Sequence, residues 1–137
     1  MSEQIIKKWT EAFKNEDWET VASLYSDDTR GSDPTGATFT GREANLANDK
    51  IWRNIFSDFS FEFGEFIQSG NTGAVEMQVT ATMTGEMEMP DGSKIPPTGK
   101  SVKINNCFVY EFENGKIKSM KNYLDTMSMM GQLGLAG

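Results

Sequence analysis

From residue 75 onward the chain alternates apolar and polar side chains with a period of two. Val75, Met77, Val79, Ala81, Met83, Met87 and Met89 hold odd positions, and Glu, Gln and Thr fill the even positions between them. A period of two puts the whole apolar set on one face, so the run predicts an antiparallel strand with one side buried. Val102, Ile104, Phe108, Tyr110 and Phe112 repeat the pattern on even positions. Asn114-Gly115 follows and is the strongest hairpin signal in the chain, because the tight turn there needs positive φ at both central residues. The next strand is expected over 116–125. Earlier, Phe59, Phe61 and Phe63 alternate until Gly64 breaks the phase, which marks a bulge or bend. Pro90-Asp91-Gly92-Ser93 and Pro96-Pro97 read as a turn and loop.

The first part of the chain has a helical period instead. Ile5, Ile6, Trp9, Ala12 and Phe13 predict a helix over 3–14, with Ser2 able to cap it. A second short helix carries Trp18, Val21, Ala22 and Tyr25 on one side. Residues 26–41, rich in Asp, Gly, Thr and Pro, read as loop with room for one short strand. A third helix over 43–56 has Ala44, Ala47, Ile51, Trp52 and Ile55 as its apolar face. The tail after 125 reads as a short helix ending at glycines. Helices followed by antiparallel strands predict an α+β fold with the helices packed on one face of the sheet. Gly64 and Gly85 imply that the sheet bends, and a bent sheet roofed by helices encloses a pocket. No repeat or linker divides residues 1–137, so one domain is expected, of ordinary size.

Composition removes many functions. Thirteen basic and 20 acidic residues give a net charge of −7, with a pI near 4.6. A nucleic-acid surface or a polybasic membrane surface needs clustered Lys and Arg, so neither partner is expected. No apolar run approaches the roughly 20 residues that span a bilayer, and the N-terminus lacks a signal-peptide stretch. The sequence therefore reads as soluble and cytoplasmic. One Cys permits no intrachain disulfide, and the absence of His removes every imidazole base, triad and zincin motif. Asp27, Asp28 and Asp33 lack the oxygen spacing of a calcium loop, and Gly131 and Gly134 lack a dinucleotide-binding context. No metal and no organic cofactor is expected. Acid–base chemistry is left to Asp, Glu, Tyr or Lys.

A two-residue turn at Asn114-Gly115 pairs Glu113 with Lys116, and the register then runs strictly onward. Phe112 would face Ile117, Tyr110 Ser119, Phe108 Lys121, Asn106 Tyr123 and Ile104 Asp125. This reckoning puts Asn106, Lys121, Tyr123 and Asp125 on the apolar inner wall. A polar cluster in such a wall is a pocket signature, since buried polar groups cost free energy unless bonded. The other face would carry Glu111 beside Lys118, Val109 beside Met120, and Cys107 beside Asn122. Met77, Met83, Phe108, Phe61 and Trp52 are the candidates to line the pocket, although for any one of them ordinary core packing is the stronger reading.

Gly115-Lys116-Ile117, Tyr123-Leu124-Asp125 and Gln132-Leu133-Gly134-Leu135 resemble the C-terminal signature of the SnoaL-like polyketide cyclases. The second helix at 15–25, Ser26-Asp27-Asp28, and Gly41-Arg42-Glu43-Ala44 opening the third helix are similar to the family's N-terminal half. The family lies in the nuclear-transport-factor-like superfamily, with ketosteroid isomerase, scytalone dehydratase and limonene epoxide hydrolase as relatives. The resemblance implies a cone-shaped, curved antiparallel sheet around a hydrophobic pocket closed by the N-terminal helices. It also implies homodimers or higher oligomers joined through the outer sheet face. The family's acid/base falls on Asp125, within a tyrosine–aromatic–aspartate signature in which Leu124 replaces the aromatic residue. Family cyclases often carry a pocket His, which this chain lacks. No Arg on the inner strands matches the Asp–Arg–Asp set of limonene epoxide hydrolases.

Three functions follow as expectations. The first is a cofactor-independent lyase or isomerase acting on a small hydrophobic carbonyl compound, with Asp125 as acid/base. Tyr123, Asn106 or Lys121 would then donate to the developing enolate. The second is a binder of small hydrophobic molecules without chemistry. The third is an association module using the outer face.

Overall fold

The computed structural model describes residues 2–135; the cap expected of Ser2 lies outside the described side chains. In chain order the elements are α1 (Ser2–Lys14), α2 (Trp18–Leu24), β1 (Tyr25–Ser32), β2 (Thr38–Thr40), α3 (Arg42–Ile55) and β3 (Phe56–Ser69). They continue with β4 (Thr72–Met83), β5 (Met87–Glu88), β6 (Lys94–Ile95), β7 (Ser101–Glu113), β8 (Lys116–Leu124) and α4 (Thr126–Gln132). Six strands form one sheet in the order β2-β1-β8-β7-β4-β3. Its edges, β2 and β3, do not pair with each other, so the curved sheet is open rather than closed. The fold is α+β. Among the described residues, no helix is long and apolar enough to cross a membrane.

The alternating residues make the core. Val75, Met77, Val79, Ala81 and Met83 of β4 are buried together with Val102, Ile104, Phe108, Tyr110 and Phe112 of β7. Helix α1 lays Ile6, Trp9, Ala12 and Phe13 onto them. Trp9 stacks on Phe13 at 5.1 Å and meets Phe108 edge-on at 5.7 Å, while Phe13 meets Phe59 edge-on at 5.1 Å. This aromatic seam ties the N-terminal helix to β3 and β7. Burying each such ring stabilises by about 1.5–3 kcal/mol.

Several expectations are corrected. Helix α2 stops at Leu24, and Tyr25 is extended (φ −86°, ψ 143°) and opens β1. The segment read as loop with room for one short strand holds two, β1 and β2. Strand β1 pairs in parallel with β8, in a sheet whose other pairs are antiparallel. Pairing with a partner some ninety positions away overrides the poor strand preference of Asp, Gly and Ser. The buried face of α3 carries Asn45, Trp52 and Ile55, whereas Ala44, Ala47 and Ile51 of the expected face are exposed. Strand β4 ends at Met83. The Thr84 and Gly85 amides both donate to Ile55 O at 3.0 Å. A Cβ on Gly85 would sit 1.9 Å from Asn54 O, so only glycine allows this approach. Met87 therefore continues the apolar phase on the separate β5–β6 ribbon. Gly64 does mark a bulge: Phe63 pairs with Met77 and Phe66 with Val75, leaving two residues opposite Glu76.

The hairpin turn forms as expected, with φ of 53° at Asn114 and 74° at Gly115. Glu113 pairs with Lys116 and Phe112 with Ile117, but Glu111 then pairs with Ser119. Lys118 is an extra residue in β8, and its Nζ turns to Glu113 Oε2 at 2.6 Å, not to Glu111. From that bulge on, the inward and outward faces of β8 are exchanged. Met120, Asn122 and Leu124 face inward, while Lys121 and Tyr123 are exposed.

Asp125 leaves the sheet altogether. It is exposed and caps α4, accepting from Ser128 N at 2.9 Å. Gln132 then clamps α4 to β7, accepting from Lys103 N at 2.7 Å and donating to Lys103 O at 3.0 Å. Leu133 is buried, and Gly134 takes a φ of 77°. Asp125→Ala is expected to lower stability by about 1 kcal/mol, the usual worth of a helix cap. Asp125→Asn, which keeps an acceptor, should stay within about 0.5 kcal/mol of the parent. Urea unfolding of the three proteins checks this ranking.

Candidate active site

The inner face of the sheet, α1, α3 and the start of α4 enclose a cavity of about 120 Å³. Its walls are mostly apolar and aromatic: Trp9, Phe13, Trp52, Phe59, Phe61, Val79, Ala81, Val102, Ile104, Phe108, Leu124 and Met129 all contribute. The polar residues at the cavity include Tyr25, Asn45, Asn48, Asp49, Asn106 and Asn122. An apolar cavity with a few convergent polar groups is the usual form of a small-molecule site.

One hydrogen-bonded chain crosses from α1 through β1 to α3. Trp9 Nε1–H donates to Tyr25 Oη at 3.0 Å, and Tyr25 Oη–H donates to Asp49 Oδ2 at 2.5 Å. Each member comes from a different element. Trp9 lies on the buried stripe of α1. Tyr25 is the first residue after α2, where the turn into β1 points its ring inward, 3 % exposed. Asp49 sits four residues after Asn45 and three before Trp52, so the three share one face of α3.

Burial dominates the electrostatics of this chain. Removal from water pushes the Asp49 carboxyl up to about 7, against the Tyr25 hydrogen bond, which pulls it down. The Tyr25 phenol is pushed well above its ordinary value by burial first, and then by the Asp49 charge beside it. Tyr25 therefore stays a proton donor, while Asp49 can exchange a proton near neutrality.

On the sheet wall stand two carboxamides. The Oδ1 atoms of Asn106 and Asn122 are buried without a hydrogen-bond partner among the described residues. A bare buried polar group costs about 1–3 kcal/mol. Asn45 differs, since its Nδ2 is shared among Thr29 O, Phe39 O and Gly41 O at 3.2, 3.3 and 2.8 Å. It pins the start of α3 to β1 and β2, a structural task.

The residues singled out in the sequence divide accordingly. Asn106, Phe108, Phe61 and Trp52 line the cavity. Met77 and Met83 are buried in the core, 3 % and 0 % exposed, but do not line it. Asp125, Tyr123 and Lys121 are outside it, carried away by the Lys118 bulge and the start of α4. Met120, expected on the outer face, lines the cavity instead. The Asp49–Tyr25–Trp9 chain escaped sequence reasoning, because an Asp beside Lys50 on a helix reads as solvated surface. The available signal was the polar stripe Asn45, Asn48, Asp49 on the face that also holds Trp52. Among the described residues, no three His, Cys, Asp or Glu side chains gather as a metal site.

Comparison with known proteins agrees with this architecture. The most similar solved structures include wild-type IdmH from Streptomyces antibioticus, at 23% identity and a TM-score of 0.78 over 96% of this chain and 97% of that one. A protein with a ketosteroid isomerase-like fold from Catenulispora acidiphila, in complex with trimethylamine, gives 18% identity and a TM-score of 0.79 over 96% and 92%. An LEH-like epoxide hydrolase from M. tuberculosis gives 17% and 0.73 over 95% and 86%. At these identities the likeness speaks for the fold alone. No protein with a curated description matches this chain. The family model for SnoaL-like polyketide cyclases matches residues 3–133, and the chain belongs to that family.

Proposed function

We propose that this protein is a cofactor-independent enzyme of the isomerase or cyclase type, and that it moves a proton on a small hydrophobic carbonyl compound with Asp49 as acid/base. The observation that carries this reading is the Asp49 carboxyl, held by Tyr25 in an apolar cavity and raised to about 7. A base poised near the working pH is the one best matched to carbon-acid chemistry, and an unperturbed Asp, at about 3.9, is a weaker one.

In the proposed cycle, Asp49 takes a proton from the carbon next to the substrate carbonyl, through the carboxylate oxygen that Tyr25 does not engage. The electron pair moves into the carbonyl and leaves an enolate. In an isomerisation, Asp49 returns the same proton at a second carbon. In a ring closure, the enolate carbon attacks a second carbonyl, and the Asp49 proton goes to the new alkoxide. Tyr25 and Trp9 orient the carboxyl throughout. The apolar walls exclude water, which strengthens every charge interaction in the site. A binder without chemistry would use the same cavity, but it has no use for a carboxyl kept near neutrality. Membership of a family of cyclases supports the enzyme.

Asp49→Asn is expected to lower kcat by about 10²–10⁴-fold, the usual worth of a positioned acid/base, with KM changed little. An enzymatic assay on enolisable cyclic ketones reads this, and full activity in the variant overturns the assignment. In the parent, kcat/KM should rise with pH through about 7, as Asp49 loses its proton.

The same group makes stability depend on pH. The folded protein holds a proton on Asp49 that the unfolded chain releases near 3.8. Stability should therefore fall as pH rises from about 4 to about 7, and then level off. Asp49→Asn removes that loss and should be the more stable protein at pH 8, on the order of 2–4 kcal/mol relative to its standing at pH 4. Urea unfolding of both proteins at pH 4, 6 and 8 tests the sign.

A further inference from the structure

We propose that Asn106 and Asn122 form a recognition pair for two oxygen substituents on a ligand whose buried part is a single six-membered ring. The pair stands on the sheet wall, whereas Asp49 stands on α3. Asn122 pairs with Phe108 and Asn106 with Leu124, so the two amides are diagonal neighbours on the inner face. Diagonal positions lie roughly 7–8 Å apart, a gap that side chains and a small ligand can bridge. Asn106 is 7 % exposed, and neither Oδ1 has a partner among the described residues. A carboxamide offers an acceptor and two donors. A hydroxyl is its complement, because it donates to Oδ1 and accepts from an N–H in turn.

Cavity size sets the rest of the ligand. The space is about 120 Å³, close to the cavity of about 150 Å³ that takes up benzene. A single ring is about what this space holds, and a larger remainder would lie toward Arg30, the one exposed residue of the lining. The class is therefore a one-ring head bearing two hydroxyl or carbonyl oxygens. This inference uses the same cavity as the proposed activity and extends it to substrate class, but it is read by binding and not by turnover.

The probes are 1,3-dihydroxybenzene, phenol and toluene, titrated into the full chain and followed by NMR shifts of the side-chain amides. Affinity should fall in that order, by about five- to tenfold per hydroxyl removed. Asn106→Leu and Asn122→Leu should each erase one step of the preference, leave toluene within about twofold, and raise Tm by a few degrees, since each removes a buried amide oxygen that has no partner among the described residues. Asn106→Ala and Asn122→Ala serve as a second pair where leucine crowds out toluene. Equal affinity for the three probes, no binding of any of them, or an undiminished hydroxyl preference in the variants overturns the inference. Asp49→Asn separates the two readings. A variant that keeps both its turnover and the hydroxyl preference sinks the acid/base assignment alone and leaves the amide pair standing.

Discussion

Lys118 lies outside the one-to-one pairing of β8 with β7, and because side chains in a strand alternate faces, that one extra residue exchanges the two sides of β8 from Ser119 onward. The composition of the cavity depends on it. Without the bulge, Lys121 and Tyr123 would enter the apolar wall, and Met120, Asn122 and Leu124 would face out. A lysine there would need a partner or would have to lose its charge, at a cost of several kcal/mol. With the bulge, the ammonium of Lys118 reaches Glu113 at the surface, and the inner wall receives two uncharged amides and no cation from these strands.

The cavity is held in an energetically unfavourable state by the stable structure around it. A carboxyl largely withdrawn from water and two amide oxygens without partners among the described residues each oppose folding. The aromatic seam of Trp9, Phe13, Phe59 and Phe108 and the long buried faces of β4 and β7 offset them. Groups that oppose folding and would gain partners from a ligand mark a binding site more sharply than the apolar lining does, since Phe and Met at the same wall are equally at home in a plain core.

The C-terminal signature has a structural explanation that involves no chemistry. Asp125 caps α4, Gln132 clamps it to the backbone of β7, Leu133 is buried, and Gly134 supplies a positive φ that other residues avoid. Together they fix the helix whose Met129 closes part of the cavity. Asp125 therefore acts on the cavity by positioning a wall, while the carboxyl inside comes from Asp49 on α3.

The α+β class, the long strands at 75 and 102, the Asn114-Gly115 turn and the bulge at Gly64 were legible, because local periodicity and turn chemistry decide them. So were Asn106, Phe108 and Phe61 as cavity residues, since each follows from the phase of its own strand; Trp52 also lines the cavity, although Ala44, Ala47 and Ile51 of the face expected of α3 are exposed. The parallel pairing of β1 with β8, the end of β4 at Gly85 and the Lys118 bulge were not legible. Each depends on which distant backbone a segment meets, and alternation within a strand carries no record of that. The Trp9–Tyr25–Asp49 chain belongs with these. Its members lie in three elements, and the carboxyl owes its raised pKa to a burial that exists only once those elements pack. Sequence by itself determined which residues of α1, β4 and β7 face the core; tertiary structure decided the faces of α3 and β8 and which polar residues meet at the cavity, because register and desolvation belong to the assembled fold.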